Sequence, residues 1–364
     1  MKIILTVTND LTYDQRMQRI CRSLSSAGYE VELVGRKRHF SVPLNNEPYK
    51  QTRLTCFFNK GKFFYIEYNV RLFFYLTFLN FEAACAIDLD TITPVFIIGR
   101  LKGAKLIYDA HEYFTEVPEV VRRPAIKKIW EWVERIFVPK FDLVYTVSGS
   151  LAELFSIKYS KQVHTIMNLP LSTHNASLLI NHPPLTTILY QGALNEGRGL
   201  EPLIEATKDI DAKLVLAGEG DLSDELRGLV KKLKLEEKVE FLGYVKPEEL
   251  KKITSEASIG INLLENKGLS YYYSLSNKFF DYIQAGVPQV CIDFPEYRKL
   301  NDKHQVSVLV KDCSVNEIKR GIERLVNNKH LYIELQKKCE VCARILSWEQ
   351  EEKKLISLYH ELLR

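Results

Sequence analysis

Several things this sequence lacks narrow its class. No apolar run is long enough to cross a bilayer. The most apolar stretch, FFYLTFLNF at 73–81, has nine residues between Arg71 and Glu82, against the roughly 20 a spanning helix needs. The opening MKIILTVTND turns polar at Thr8 and lacks the apolar core and cleavage site of a signal peptide. Seven cysteines, an odd number at irregular spacing, do not read as a disulfide framework. The one C-x2-C, Cys339 to Cys342, has no second pair and falls in a helical pattern, so it does not supply the four ligands of a zinc site. Glycine is absent from the loop after the first strand, which reads TNDLTYDQR where a dinucleotide enzyme needs G-x-G-x-x-G. No P-loop pattern occurs either. Hydride transfer and P-loop hydrolysis lose their support, and a cytoplasmic protein is expected.

The chain has 364 residues, 46% apolar and 26% charged, which is the balance of a soluble globular protein. That length suits two domains. The net charge of +4 is unevenly placed: residues 1–175 carry 23 Lys+Arg against 17 Asp+Glu, residues 176–364 carry 27 against 29. A mildly basic first half suits an anionic partner or a membrane surface. The excess is too diffuse for nucleic acid.

Short apolar runs alternate with helical patterns. Ile3–Val7 reads as a strand, and Met17, Ile20, Cys21 and Leu24 recur at helical spacing in a helix near Asp14–Ala27 that Gly28 stops. Glu30–Val34, Val95–Ile98, Lys105–Tyr108 and Leu143–Thr146 read as further strands. The segment 168–187, rich in Pro, Asn, Ser and Thr, reads as a linker. Beyond it the rhythm restarts with strands at Thr187–Tyr190, Lys213–Ala217, Val239–Leu242, Ile259–Leu263, Gln289–Ile292 and Ser307–Val310, and helices at Leu200–Lys208, Asp224–Lys234, Pro247–Glu256 and Asn277–Ala285. Strands alternating with helices predict an α/β protein of two doubly wound, Rossmann-like halves, with ligands in the cleft they face.

Two motifs carry chemistry. Tyr190-Gln-Gly192-Ala-Leu-Asn-Glu-Gly-Arg198-Gly199-Leu200 runs from a strand through a glycine-bearing loop into a helix. Its glycines permit close backbone approach, and Arg198 adds a full charge to the helix N-terminus, a combination suited to a diphosphate. An ordinary strand–helix turn with a solvated arginine fits the same residues. In Ser274-Leu-Ser276-Asn277-Lys278-Phe-Phe-Asp281-Tyr-Ile-Gln-Ala-Gly286-Val-Pro288, Ser276 or Asn277 can cap a helix, Lys278 can meet an anion, and Asp281 lies one turn on. A surface i,i+3 salt bridge between Lys278 and Asp281 is the plainer alternative.

Together these stretches resemble the nucleotide-sugar site of glycosyltransferase family 4, the retaining enzymes of the GT-B fold. Gly218-Glu219-Gly220, Phe241-Leu-Gly243-Tyr244-Val245 and a C-terminal helix beginning at Trp348 extend the resemblance over nearly the whole chain. It implies an acceptor-side domain at 1–175, a donor domain at 186–345 and a final helix at 346–364 that crosses back to the first. It also implies that Arg198 and Lys278 bind the donor diphosphate and Asp281 the ribose. Gly192 and the Ser276–Asn277 backbone would line the diphosphate pocket, and Gly243, Tyr244 and Val245 would border the base. The sequence departs from the family at Ala193, where a second phosphate-binding arginine is common, at Tyr273, where the first motif glutamate would stand, and at Asp281, one methylene shorter than glutamate.

In the first half, LIYDAHEY at 106–113 ends a strand with a polar cluster. It resembles the family's strand-end histidine beside the donor sugar, which makes His111 the catalytic candidate and Glu112 an acceptor contact; a structural histidine fits equally on the residues alone. Asn9, Asp10, Asp14 and Arg16 follow the first strand and are candidates for the acceptor side, or simply cap a helix. Lys60–Phe81 mixes Lys60, Lys62 and Arg71 with nine Phe or Tyr residues, and Arg122, Arg123, Lys127, Lys128, Trp130 and Trp132 form a second basic-aromatic segment. Both suit an anionic, inner-membrane surface on the cytoplasmic face, or an aromatic core with a solvated face. The expected activity is transfer of a sugar from a UDP- or GDP-sugar to a saccharide or lipid-linked saccharide in envelope polysaccharide synthesis, with no metal or other cofactor and no nucleic-acid partner. A GT-B sugar-nucleotide epimerase and a non-catalytic sugar-nucleotide-binding partner remain the alternatives.

Overall fold

A computed structural model describes residues 1–12, 14–39, 41–172 and 187–364. The chain divides into two compact units, Met1–Asn168 with Gln350–Arg364, and Leu169–Glu349. The first unit thus ends before the limit at 175, and most of the linker read at 168–187 lies outside the described residues.

The first unit is built on a seven-stranded parallel sheet. Its strands are β1 (Lys2–Thr6), β2 (Glu30–Lys37), β3 (Lys50–Thr55), β4 (Ala83–Ile87), β5 (Lys105–Ala110), β6 (Leu143–Thr146) and β7 (His164–Thr165), in the spatial order β3-β2-β1-β4-β5-β6-β7. Helices cover the sheet, so its central strands are apolar on both faces: Ile3, Ile4, Leu5, Leu106 and Ile107 are fully buried. β4, AACAI, is buried along its whole length. Gln350–Arg364 complete this unit: Tyr359 packs on Tyr145 with the two hydroxyls 3.3 Å apart, and Glu352 accepts a hydrogen bond from Ser23 at 2.6 Å.

Val95–Ile98 is not a strand but part of the helix Ile92–Leu101. Its β-branched residues favour strand locally. Ile92, Val95, Ile98 and Gly99 nevertheless fall on one buried helical face, and tertiary burial overrides propensity.

The second unit holds a six-stranded parallel sheet of β8 (Thr187–Gln191), β9 (Lys213–Ala217), β10 (Val239–Gly243), β11 (Ile259–Asn262), β12 (Gln289–Ile292) and β13 (Ser307–Val310), in the order β10-β9-β8-β11-β12-β13. Its core joins Ile188, Tyr190, Leu203, Leu216, Ile261, Val290 and Ile322. Cys339 and Cys342 sit in the helix Lys329–Ile345 as buried free thiols, with Cys339 against the carbonyls of Val287 and Val306.

Candidate functional site

In each sheet the strand order reverses once, between β1 and β4 and between β8 and β11. Loops leaving the carboxyl ends of such strands diverge and open a crevice. Both clusters of polar side chains described below lie at these two points.

In the second unit the loop after β8 runs against the loop after β9. Gly218 has φ +152°, and a Cβ there would fall 1.9 Å from the Gly192 carbonyl oxygen, so the contact is backbone on backbone and admits only glycine. Gly192, at φ +127°, leaves room in turn for Lys278, whose Nζ would lie 3.6 Å from a Cβ at that position. Lys278 comes from the start of the helix Asn277–Gln284 and is only 8% exposed. Its ammonium stands 4.0 Å from the centre of the Tyr190 ring. Among the described residues it makes no ion pair, with Asp281 or any other carboxylate. Burial, and then the charge of Arg198, push its pKa well below the ordinary lysine value. The i,i+3 salt bridge therefore does not form.

Arg198 lies between Gly197 and Gly199, both at positive φ, and its guanidinium carbon sits 4.9 Å from the centre of the Tyr271 ring. Its Nε is buried without a hydrogen-bond partner among the described residues. Two neighbouring cations, partly desolvated and without a counterion among the described residues, stand together at this point of the second unit.

The surrounding polar groups are held by bonds to one another. Asp281 accepts a hydrogen bond from Gln191 Nε2 at 2.9 Å, and the Gln191 amide oxygen accepts one from Thr254 at 2.7 Å. Ser276 stands at the N-cap, but its hydroxyl donates to Asn262 Oδ1 at 2.7 Å and does not cap the helix, while its N–H donates to the Tyr297 hydroxyl at 3.0 Å. The last residue of β11 and the helix carrying Asn277 and Lys278 are thereby fixed together. Gly243 ends β10 at φ +68°, Tyr244 is exposed and Val245 packs against the buried cluster of Leu189, Val215 and Tyr282. Tyr273 packs edge-on against Tyr272, and the Ala193 carbonyl accepts a hydrogen bond from the Tyr190 hydroxyl at 2.8 Å.

In the first unit His111 follows β5 and contacts two carboxylates, with Asp90 an electrostatic neighbour. Its Nε2 is 3.1 Å from Asp109, its N–H donates to Asp88 at 2.9 Å, and its Nδ1 is 3.9 Å from the second Asp88 oxygen. Asp90 accepts a hydrogen bond from Thr8 at 2.5 Å. Burial alone would lower the His111 pKa, but Asp109 and Asp88 outweigh it and raise it to about 9. Burial raises Asp88, and brings Asp90 to about 6. Asp88 holds φ +55°, a conformation that costs a non-glycine residue about 1 kcal/mol or more and is kept only where its surroundings impose it. Sequence reasoning misses Asp88 and Asp90. The Asp-x-Asp spacing is visible in the chain, but nothing local marks the strand that delivers it.

The remaining first-unit candidates are placed as follows. Arg16 is buried, donating to Asp109 Oδ1 at 3.0 Å and to the Ile166 carbonyl at 3.1 Å, so it acts on His111 through Asp109. Asp14 caps the helix Gln15–Ser26, accepting from the Met17 N–H at 3.1 Å. Asp10 pairs with Arg53 at 2.8 Å. Glu112 is exposed. Trp130 packs edge-on against Phe114 and Tyr65, and Lys127 pairs with Glu116, which takes these two out of the second basic-aromatic segment's free surface.

Comparison with known proteins falls mainly on the second unit. Residues 179–344 match the family of glycosyl transferases group 1. The second unit carries a glycosyl transferases group 1 domain. An uncharacterized glycosyltransferase of Methanocaldococcus jannaschii is 30% identical over 179 residues, covering 47% of this chain and 44% of that protein. The N-acetylgalactosamine-N,N'-diacetylbacillosaminyl-diphospho-undecaprenol 4-alpha-N-acetylgalactosaminyltransferase of Campylobacter jejuni is 28% identical over 168 residues, covering 41% of this chain and 43% of that protein. The chain thus spans under half the length of these relatives. The solved structure of sucrose-phosphate synthase from Thermosynechococcus elongatus matches with a TM-score of 0.80 at 18% identity, over 100% of this chain and 99% of that one. The chain has the GT-B fold: two Rossmann-like units, of which the group 1 domain holds the paired cations.

Proposed function

We propose that the protein is a glycosyltransferase that moves a sugar from a nucleoside diphosphate sugar, UDP- or GDP-linked, to a saccharide or lipid-linked saccharide acceptor in envelope polysaccharide synthesis. The observation that carries this is the pair of a buried Lys278 and a half-buried Arg198 whose Nε is buried, without counterions among the described residues, at the strand-order reversal of a group 1 domain. As the sugar–phosphate bond breaks, negative charge grows on the leaving diphosphate, and fixed cations there stabilise the transition state more than the ground state. Asp281, held by Gln191, would accept from ribose hydroxyls. His111, protonated at neutral pH, would orient the donor sugar. The anomeric outcome proposed is retention, as the resemblance implies. Because Arg198 and Lys278 supply the neutralising charge, donor binding is proposed to need no metal.

Calorimetric titration with UDP, GDP and ADP in the presence of EDTA tests this. Binding of one of them in the micromolar range is expected. A well-folded protein that binds none would refute the donor site. Tyr273, standing where the family motif has a carboxylate, favours one rival, a non-catalytic sugar-nucleotide binder; it predicts tight binding without release of nucleoside diphosphate from any sugar conjugate in the presence of acceptor.

Contact with an anionic membrane surface is part of the same proposal. No described helix is long and apolar enough to cross a membrane. The helix Gly61–Thr77 instead exposes Phe63, Ile66, Val70 and Phe74, which recur every three or four residues on one side, with Lys62 and Arg71 beside them. Phe74 alone is 58% exposed. Such a face inserts shallowly among anionic headgroups. Phe63→Asp/Phe74→Asp is expected to abolish co-sedimentation with phosphatidylglycerol vesicles at low salt while leaving nucleotide titration unchanged. Equal sedimentation of both proteins would refute the contact.

A further inference from the structure

The first unit has an unclaimed cation of its own. A pocket of about 450 Å³ opens beside the carboxyl ends of β1 and β2, walled by Arg36, Arg38, Lys60, Gly61, Phe64 and Tyr65 among others. Arg36 is only 6% exposed, and its Nε is buried with no hydrogen-bond partner among the described residues. No carboxylate is paired with it there. Its guanidinium carbon lies 4.0 Å from the centre of the Phe64 ring, which receives the flat face of the cation but leaves the in-plane N–H groups unanswered. Burial, and then the like charge of Arg38, depress its pKa. Nearby carboxylates are engaged elsewhere: Asp10 with Arg53 and Thr12, Asp90 with Thr8.

A second feature converges on the same space. Lys60 is the N-cap of the helix Gly61–Thr77 and provides no side-chain capping bond, so the helix directs uncapped N–H groups and its positive dipole end toward the pocket. A planar arginine fork, a second arginine, a lysine and a helix N-terminus around one cavity match the several oxygens of a phosphate better than a single carboxylate. The aromatic wall of Phe64 and Tyr65 suits an apolar or sugar group attached to it. Thr8 also lines the pocket and donates to Asp90, whose charge acts on His111.

We propose that this pocket binds the phosphate or diphosphate group of an acceptor-side ligand. The word acceptor rests on the transferase reading; the anion site does not. Inorganic pyrophosphate titrated calorimetrically into Lys278→Ala protein, whose donor site is weakened, is the direct test. Binding is expected to persist there, to weaken about tenfold or more when Arg36→Gln is added, and to weaken by a smaller factor with Lys60→Gln, an exposed position where the core is undisturbed. Farnesyl diphosphate and glucose 1-phosphate, titrated in parallel, separate a lipid-linked source from a free sugar phosphate; Arg36-dependent binding of either supports the site. The proposal is overturned if Lys278→Ala protein binds no pyrophosphate, or if neither Arg36→Gln nor Lys60→Gln changes that binding in protein with an unaltered melting curve. Nucleoside diphosphate titrated into wild-type and Lys278→Ala protein reads the donor site separately, so one assignment can fail without the other.

Discussion

Lys278→Met is expected to raise the stability of the ligand-free protein and to weaken donor binding. The two effects have one cause. Lys278 is held almost out of water, next to the like charge of Arg198 and without a carboxylate partner, and its contact with the Tyr190 ring offsets only part of that cost. An apolar side chain of similar length removes the desolvation cost, which should stabilise the apo protein by about 1 kcal/mol or more. The same change removes a charge-assisted contact to the diphosphate, weakening it about 10- to 100-fold. Turnover should fall further, by about 10²–10³, because the charge matters most as the leaving group develops its own. Thermal melts with and without nucleotide measure both. A lysine that merely supported the fold would give the opposite signs: lower stability and unchanged affinity. Arg198→Ala should copy the loss of affinity, and nucleotide should protect neither variant against melting.

Much of the fold and of the candidate site in the second unit is legible in the sequence because local signals and tertiary demands agree there. Lys213–Ala217, Gln289–Ile292 and Ser307–Val310 are short apolar runs between polar turns and form strands with those limits. The loop at Gly192–Gly199 is legible because its backbone conformation and close contacts need glycine, which a sequence displays directly. β4 is not legible because its alanines carry no β-propensity; that strand is set by burial between β1 and β5, a property of the assembled sheet. The placement of Asp88 and Asp90 near His111 is hidden with it. Arg16 misleads for a related reason. Its position after the first strand makes it an acceptor-side candidate, and nothing in the sequence shows that a partner 93 residues away, Asp109, draws it inward. Arg36 gives no signal at all, since a charged residue at a strand end is ordinary until its partners are found to be missing.

His111 should give the molecule a distinctive alkaline behaviour. Its pKa of about 9 in the folded state exceeds the ordinary 6.5, so the folded protein retains a proton that the unfolded chain releases. The stability conferred is complete below pH 6.5 and is lost as pH rises through about 9. Burial raises Asp88 to about 8 and Asp90 to about 6, which gives loss in the same direction, ending near pH 6 for Asp90 but reaching about pH 8 for Asp88 and so overlapping the histidine's window. Burial would also raise Asp109, but Arg16 and His111 outweigh it and lower its pKa, so its contribution is lost on acidification instead. Between pH 6.5 and 9 the histidine does not act alone, since Asp88 adds to the fall up to about pH 8. Denaturant unfolding should show stability falling by about 2 kcal/mol across that interval, at roughly 1.4 kcal/mol for each pH unit between the folded and unfolded pKa values, reduced for partial exposure. His111→Gln should flatten the curve by lowering its acid side. The ring-proton resonance of His111 should titrate near pH 9 in wild type. A midpoint near the ordinary 6.5, in protein whose nucleotide titration is intact, would show that the carboxylates do not hold the charge, and with it would go the proposal that a protonated His111 faces the donor sugar. If the midpoint is near 9, turnover should share an alkaline limb with that titration, because the charge that stabilises the cluster is the one proposed to orient the sugar.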